Sequence, residues 1–158
     1  MPRVLRNPRN DKITMKIQIT RIDQTLPLPE YQTAGAVCFD LLARETTTIE
    51  AGKIALIPCN IIVKVPEGYL FMLANRSSTA MKKGLIMGNG IGIVDQDYCG
   101  PTDEVKYQAF NITDGSVTIE RGDRVVQGCF MPVTKVEFEE VASISTTDRG
   151  GFGSTGHK

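Results

Sequence analysis

Apolar and polar residues alternate in short runs along most of this chain. Between residues 15 and 20 the apolar side chains Met15, Ile17 and Ile19 are separated by polar ones, the period-two pattern of a half-buried strand. Comparable short runs predict further strands at residues 53–57, 61–65, 69–73, 92–94, 104–111, 116–119, 124–130 and 133–138.

Turns rich in glycine separate these runs, as at Asp114-Gly115. Regularly spaced short strands in a chain with 15 glycines and 8 prolines predict an all-β sandwich or barrel. Only residues 80–83 have a helical pattern; residues 77–79 supply hydroxyls for an N-cap, and Gly84 ends the turn. We therefore expect an all-β domain with one short helix.

Composition narrows the class of protein. Apolar residues make up 41% and charged residues 23% of the 158 positions, as in an ordinary globular domain. Lysine and arginine number 18, as do aspartate and glutamate, and this balance argues against a nucleic-acid binder, although it leaves room for a phosphate pocket. No run approaches the ~20 apolar residues of a membrane span, so no membrane partner is expected.

The cysteines and the histidine restrict the possible chemistry. Four cysteines occur without a CxxC pair, and the one histidine, His157, is next to last. A zinc site, a redox dithiol and a histidine-based triad are therefore disfavoured. Without a leader peptide, we expect reduced, mostly buried thiols in a cytoplasmic protein; two disulfides are the alternative.

The two ends differ from the central β domain, which we predict at residues 15–142. Residues 1–14 are basic, contain two prolines and are expected to be a disordered tail. Residues 143–158 are rich in glycine, serine and threonine, which predicts a flexible arm. Its Arg149 and Phe152 suit closure over a nucleotide, and a frayed tail is the alternative.

Three clusters could carry chemistry. Acidic residues are dense between residues 89 and 104, where Asp95 directly follows a predicted core strand. This placement favours a general base that positions water. A solvated acidic loop is the alternative interpretation. Residues 76–78 (RSS) at a helical turn can bind phosphate. The alternative interpretation is a plain N-cap with a surface arginine. The third cluster is residues 122–124 (GDR) followed by Gln127. A hairpin turn leading into a strand is the alternative interpretation.

The order of these clusters resembles the five motifs of the trimeric dUTPase family. They are AVCFDL at 36–41, RSS at 76–78, NGIGIVDQDYCG at 89–100, GDR at 122–124 with Gln127, and RGGFGSTG at 149–156. The resemblance implies a jelly-roll-like β subunit, a homotrimer with active sites shared between subunits, and hydrolysis of dUTP to dUMP and pyrophosphate. It also implies a Mg²⁺ ion that is held by the triphosphate and has no direct protein ligand. Asp95 could contact this ion through a water molecule.

The resemblance also implies a role for individual residues. Asp95 would orient the attacking water, and Tyr98 would lie under the deoxyribose and exclude a 2′-hydroxyl. The remaining substrate contacts would be Asn89, Gly92, Ile93 and Val94 at the uracil, Arg76, Ser77, Ser78 and Gln127 at the phosphates, the backbone of Lys106, and Arg149, Phe152, Gly153, Ser154 and Thr155 in the arm. Phe152 would stack on uracil, while Asp40, Asp123 and Arg124 would support these loops.

Two departures from the family pattern stand out. Cys38 replaces a usual glycine in the first motif, so the local turn is expected to differ. The segment after Gly100 is a few residues longer than usual, which leaves Asp103 and Glu104 without a role; a threefold channel or a second cation site are the options. A dCTP deaminase and a non-catalytic nucleotide-sensing module on the same scaffold are the rival functions.

Overall fold

The structure, a computed structural model, describes the strands Leu5–Arg6 and Ile13–Thr14 and the chain from residue 15 to 151. Its strands are β1 (Leu5–Arg6), β2 (Ile13–Thr14), β3 (Ile19–Arg21), β4 (Phe39–Leu42), β5 (Thr47–Ile49), β6 (Ile54–Pro58), β7 (Ile61–Val63), β8 (Tyr69–Asn75), β9 (Leu85–Met87), β10 (Gly92–Val94), β11 (Lys106–Asn111), β12 (Val117–Ile119) and β13 (Arg124–Pro132). The helix α1 is Thr79–Lys83. The described part of the chain is thus almost entirely β, which confirms the predicted fold class.

Short antiparallel sheets enclose the core. The largest has the strand order β10-β8-β13-β4, a second has the order β6-β11-β9, and β1-β2, β3-β7 and β5-β12 form two-stranded pairs. Strand β10 therefore lies at an edge of the four-stranded sheet. No helix in the described residues is long and apolar enough to cross a membrane.

Alternation along the strands places one face of the four-stranded sheet in the core. Phe71 is fully buried there, and its ring stacks on Phe39 and Phe130 at centroid distances of 5.6 and 4.8 Å. Gly128 lies against the same ring, where a Cβ atom would come within 2.5 Å of two Phe71 carbons. The opposite face of the sheet carries Asp40 and Gln127, which oppose each other in the β4–β13 register.

Most predicted strands are confirmed within a few residues, including 92–94 without change. The predicted helical turn is confirmed too, and Gly84 ends it with φ of 63°. The predicted strand at 133–138 is wrong, because these residues have no ladder partner within the described chain and are mostly exposed. The first strand of the domain is displaced from 15–19 to Ile19–Arg21, and β4, β5 and β9 were not predicted.

The segment 1–14, expected to be disordered, contains the β1–β2 pair. Residues 133–151 form no helix or strand and are almost all exposed.

Candidate active site

A carboxylate and two arginines meet at one end of the four-stranded sheet. Arg76 follows β8 directly, and its Nε donates to Oδ1 of Asp40 on β4 at 2.9 Å. Arg124, at the start of β13, places Nη1 3.8 Å from Asp40 Oδ2. Asp40 is largely buried while Arg124 is exposed, so the cluster presents a net positive charge to solvent. This arrangement suits the binding of an anionic group.

The two serines after Arg76 leave their hydroxyls available. Ser78 is the N-cap residue of α1, but its side chain makes no capping hydrogen bond. The prediction that these hydroxyls cap the helix is therefore wrong in this structure. The alternative interpretation of residues 76–78 as a plain N-cap thus loses its support. Ser77 is exposed, beside the same arginine.

The fourth motif forms a turn that supports the region around α1. Gly122 has φ of 88°, a conformation that favours glycine, and its N–H donates to the carbonyl of Ala43 at 2.8 Å. Asp123 accepts a hydrogen bond from Lys83 Nζ, on α1, at 2.7 Å. The turn therefore connects motif four both to the end of β4 and to the helix after the serines.

Gln127 lies beside this cluster but uses one donor internally. Its Nε2 donates to the carbonyl of Asn75 at 3.0 Å, at the residue before Arg76. Asn75 is itself held, since its side chain donates to Leu85 O and accepts from the Tyr107 hydroxyl. Gln127 thus fixes the main chain that carries Arg76 and has its second N–H left for a ligand.

The third motif begins on β10. Gly92 packs so closely on β8 that a Cβ would come within 3.0 Å of Leu73 Cβ, which explains the need for glycine here. Asn89 precedes the strand in an exposed turn, Ile93 faces outward, and Val94 is buried. Because β10 pairs with β8 alone among the described strands, its outer edge offers backbone donors and acceptors to a ligand.

Asp95 and Asp97 lie in the loop after β10. The strand ends at Val94, so the two carboxylates project from a turn and do not share a strand face. Both are exposed. The loop is held near its start by Gln96, whose Nε2 donates to Tyr69 O at 3.0 Å and whose carbonyl accepts from Lys64 Nζ at 3.0 Å.

The far end of this loop is anchored by a buried glutamate. Glu104 is only 5% exposed. It accepts from Arg44 Nε at 2.8 Å, from Arg44 Nη2 at 3.0 Å and from the backbone N–H of Asn60 at 2.8 Å. This fork raises the pKa of Arg44. Arg44 was missed by sequence reasoning, because its partner lies 60 positions away.

The extra residues after Gly100 form a closed turn. Asp103 Oδ2 accepts from the N–H of Gly100 at 2.7 Å, and the N–H of Asp103 donates back to the Gly100 carbonyl at 3.1 Å. Glu104 is thus committed to Arg44, and Asp103 uses one carboxylate oxygen to close this turn. Lys106, whose backbone was expected to contact substrate, is the exposed first residue of β11.

Tyr98 is part of the same loop. It is 39% exposed, and its hydroxyl donates to the main-chain carbonyl of Glu104 at 3.3 Å. One end of the ring is thus fixed while much of the side chain is open to solvent.

A single chain does not bring the acidic loop and the arginine cluster together. Continuing the register Val94↔Phe71 places Asp95 beside Leu70, whereas Arg76 follows the other end of β8. Six residue steps along the strand separate the two positions, or about 20 Å at about 3.3 Å per residue. Arg149 is exposed, and Phe152, Gly153, Ser154 and Thr155 lie outside the described residues.

The cysteines are all free, but the prediction that they are mostly buried is wrong. Only Cys59 is buried, and burial raises its pKa to about 12. Cys38 and Cys129 face each other one step beyond the β4–β13 ladder pair Phe39↔Gly128. Burial and the contact with Cys38 raise the pKa of Cys129 to about 11.

Among residues 15–151, no group of three or more histidine, cysteine or acidic side chains is placed to hold a metal ion.

Comparison with known proteins places these features in a family. The family model described as dUTPase matches residues 24–156. Deoxyuridine 5′-triphosphate nucleotidohydrolase of Glaesserella parasuis serovar 5 (strain SH0165) is 39% identical over 150 residues, covering 92% of this chain and 97% of that protein. The protein of the same name from Hydrogenobaculum sp. (strain Y04AAS1) is 38% identical over 147 residues, covering 91% and 100%.

Solved structures agree with this placement. The dUTPase of Streptococcus mutans is 37% identical, with a TM-score of 0.71 over 77% of this chain and 98% of that one. A variant dUTPase of phage phi11 of S. aureus, reported with a structural Mg(II) ion, is 21% identical and shares the fold at a TM-score of 0.74 over 82% and 98%. With the family match over residues 24–156 and relatives near 38% identity across nearly their whole length, this chain belongs to the dUTPase family.

Proposed function

We propose that this protein hydrolyses dUTP to dUMP and pyrophosphate, with water attacking the α-phosphorus. The observation that carries the proposal is the family match across residues 24–156, which spans an exposed Asp95 and the Asp40–Arg76–Arg124 cluster. The reaction removes dUTP and supplies dUMP, the precursor for thymidylate synthesis.

Asp95 is proposed to orient the attacking water and accept its proton. Its position directly after a buried strand end supports this role, because the base then stands on a rigid element while its carboxylate reaches solvent. No covalent nucleophile is required, since phosphoryl chemistry depends mainly on positioning and on charge neutralisation.

Substrate selection is assigned to the third motif. The outer backbone edge of β10 at Gly92, Ile93 and Val94 would read the uracil, with Asn89 closing the pocket against cytosine. Tyr98 would lie under the deoxyribose, where crowding excludes a 2′-hydroxyl. An open strand edge next to a partly exposed tyrosine supports this division of roles.

The phosphates are proposed to bind Arg76, Ser77, Ser78 and Gln127. Asp40, Arg124 and Asp123 would support them: Asp40 holds the arginine, and Asp123 holds α1 through Lys83. A Mg²⁺ ion bound by the triphosphate fits this site, because an exposed Asp95 can reach its hydration shell and the described residues offer no competing ligand cluster. When bound, such an ion neutralises phosphate charge.

We further propose a homotrimer in which different copies supply the two halves of each site. The separation of about 20 Å along β8 supports this arrangement, because one nucleotide phosphate must meet both Asp95 and Arg76. Exposed apolar side chains after β13 also support it: Val136 is 64% and Phe138 95% exposed. Such side chains gain stability by packing on another copy.

The arm, residues 143–158, is proposed to close over the bound nucleotide. Arg149, Ser154 and Thr155 would reach the γ-phosphate side, Gly153 would allow a close approach, and Phe152 would stack on uracil. Deleting residues 143–158 should cripple turnover and leave the trimer assembled, measured by pyrophosphate release and light scattering. Unchanged turnover in the truncated protein would refute arm closure.

The direct test is pyrophosphate release from dUTP, dCTP, dTTP and UTP, with Mg²⁺ and then with excess chelator. Mg²⁺-dependent release from dUTP alone is expected, and Asp95→Asn should lower it by orders of magnitude. Ammonia released from dCTP would instead indicate a deaminase. Nucleotide binding without hydrolysis would indicate a sensing module.

A further inference from the structure

Resting on the proposed function, we propose that Arg44 and Glu104 are positioning residues which, through Tyr98, set the discrimination between deoxyribonucleotide and ribonucleotide. Neither residue is assigned a substrate contact above. Exclusion of a 2′-hydroxyl requires the ring of Tyr98 to be held at a fixed position under the sugar.

The ring is fixed at its hydroxyl end by one contact. Tyr98 Oη donates to Glu104 O at 3.3 Å across the loop. At the other end, the N–H of Tyr98 donates to Asp95 O at a long 3.4 Å. The position of the ring relative to the sugar therefore depends on where the Glu104 carbonyl lies.

That carbonyl is held by the side chain of its own residue. Both carboxylate oxygens of Glu104 are used, Oε1 by Arg44 Nε and Asn60 N, and Oε2 by Arg44 Nη2. A two-pronged arginine fork fixes direction as well as distance. Because Glu104 is nearly fully buried, solvent does not compete for these bonds.

The groups that hold Glu104 are themselves tied to the β6–β7 turn. The N–H of Arg44 donates to Pro58 O at 2.8 Å. Asn60, in the left-handed conformation with φ of 67°, exchanges side-chain hydrogen bonds with the backbone of Asp23. On the other side, Val105 N–H donates to Ile61 O at 2.9 Å. The anchor is therefore continuous with the core sheets.

The closed turn at residues 100–103 explains how this chain tolerates a longer loop. The turn closes on itself through Gly100 and Asp103. The added length is thus taken up in a closed turn between the two residues of the Tyr98–Glu104 contact.

The test compares kcat/KM for dUTP with kcat/KM for UTP in Tyr98→Phe, Glu104→Gln and Arg44→Lys. Tyr98→Phe removes only the hydroxyl contact, whereas Arg44→Lys keeps the charge and loses the fork. Loss of one such hydrogen bond should lower the dUTP:UTP ratio roughly threefold to tenfold. The matched control is Glu120→Gln, an exposed glutamate bonded to Thr46, which should leave the ratio unchanged.

The ratio separates positioning from general destabilisation. A loss of folded protein lowers both rates equally and leaves the ratio unchanged. The double variant Tyr98→Phe/Glu104→Gln should be no worse than the poorer single variant, because both act through one contact. If Glu104→Gln does not fold, Arg44→Lys takes its place in the same cycle.

Two failures are distinguishable. A wild-type protein that does not hydrolyse dUTP would overturn the proposed function. A wild-type protein that prefers dUTP, with unchanged ratios in folded Tyr98→Phe and Arg44→Lys, would overturn this inference alone. Additive effects in the double variant would overturn it too.

Discussion

Asp40 carries a unit charge that orients Arg76, and replacing it by asparagine tests that role. The Asp40–Arg76 bond is 2.9 Å long, and the two side chains are 12% and 28% exposed, so solvent screens the pair only in part. In Asp40→Asn the amide oxygen keeps the shape and the acceptor but loses the charge. Arg124, 3.8 Å from the other carboxylate oxygen, then repels Arg76 without compensation.

Two effects of opposite sign follow from this change. A hydrogen bond to a charged group contributes about 1.5–3 kcal/mol against about 1 kcal/mol for a neutral one, so orientation of Arg76 weakens by about 0.5–2 kcal/mol. Removing the negative charge also favours phosphate binding, by about 0.7 kcal/mol for two unit charges about 6 Å apart in water. At the middle of that range the loss of orientation exceeds this gain by about 0.5 kcal/mol, so kcat/KM should fall about two- to threefold.

The assay is steady-state pyrophosphate release from dUTP. We expect the loss in kcat, with KM unchanged or lower, because the added positive charge still attracts the triphosphate. Asp114→Asn, in the exposed turn between β11 and β12, is the matched control and should behave as wild type. A kcat within twofold of wild type, or a raised KM with kcat intact, would show that Asp40 does not orient Arg76 for catalysis.

Three further predictions concern stability and the thiols. Gly128→Ala should destabilise the protein by about 1–3 kcal/mol in denaturant unfolding, because the added Cβ would lie 2.5 Å from Phe71 ring carbons. Gly115→Ala is the control, since nothing lies within 4 Å of a Cβ there, and equal stability of the two variants would contradict this packing. Alkylation of the native protein near pH 8, followed by mass spectrometry, should label half-buried Cys99 before buried Cys59. Early labelling of Cys59 would show that the core around this thiol opens to solvent. Burial raises the pKa of Cys59 from 9.0 to about 12. The neutral thiol therefore contributes fully to the free energy of unfolding below pH 9, and this contribution declines toward pH 12 by up to about 1.4 kcal/mol per pH unit. Cys59→Ala should flatten that decline, measured as the free energy of unfolding against pH, and an unchanged slope would exclude this thiol as its cause.

Local patterns predicted the strands that pair with buried neighbours. Residues 92–94 and 124–130 have strong apolar content, and the structure places β10 and β13 there. Strand β5, Thr47–Ile49, was missed because two of its three residues are threonines and its partner β12 supplies the pairing. The run 133–138 alternates as a strand does, but no neighbouring strand within the described chain is available to it.

For the candidate site, the types of residue and their order along the chain were sufficient to point to the family. They also placed Asp95 after a core strand and Ser78 at the helix start. These features depend on neighbours within a few positions, so they can be read from local spacing.

The fold decides which carboxylates are engaged in ion pairs. Glu104 is committed to Arg44, 60 positions away, and Asp40 to Arg76, 36 positions away. The strand register likewise decided that Asp95 and Arg76 lie at opposite ends of β8. Ion pairing and register depend on partners that folding brings together, and composition and spacing carry no record of those distances.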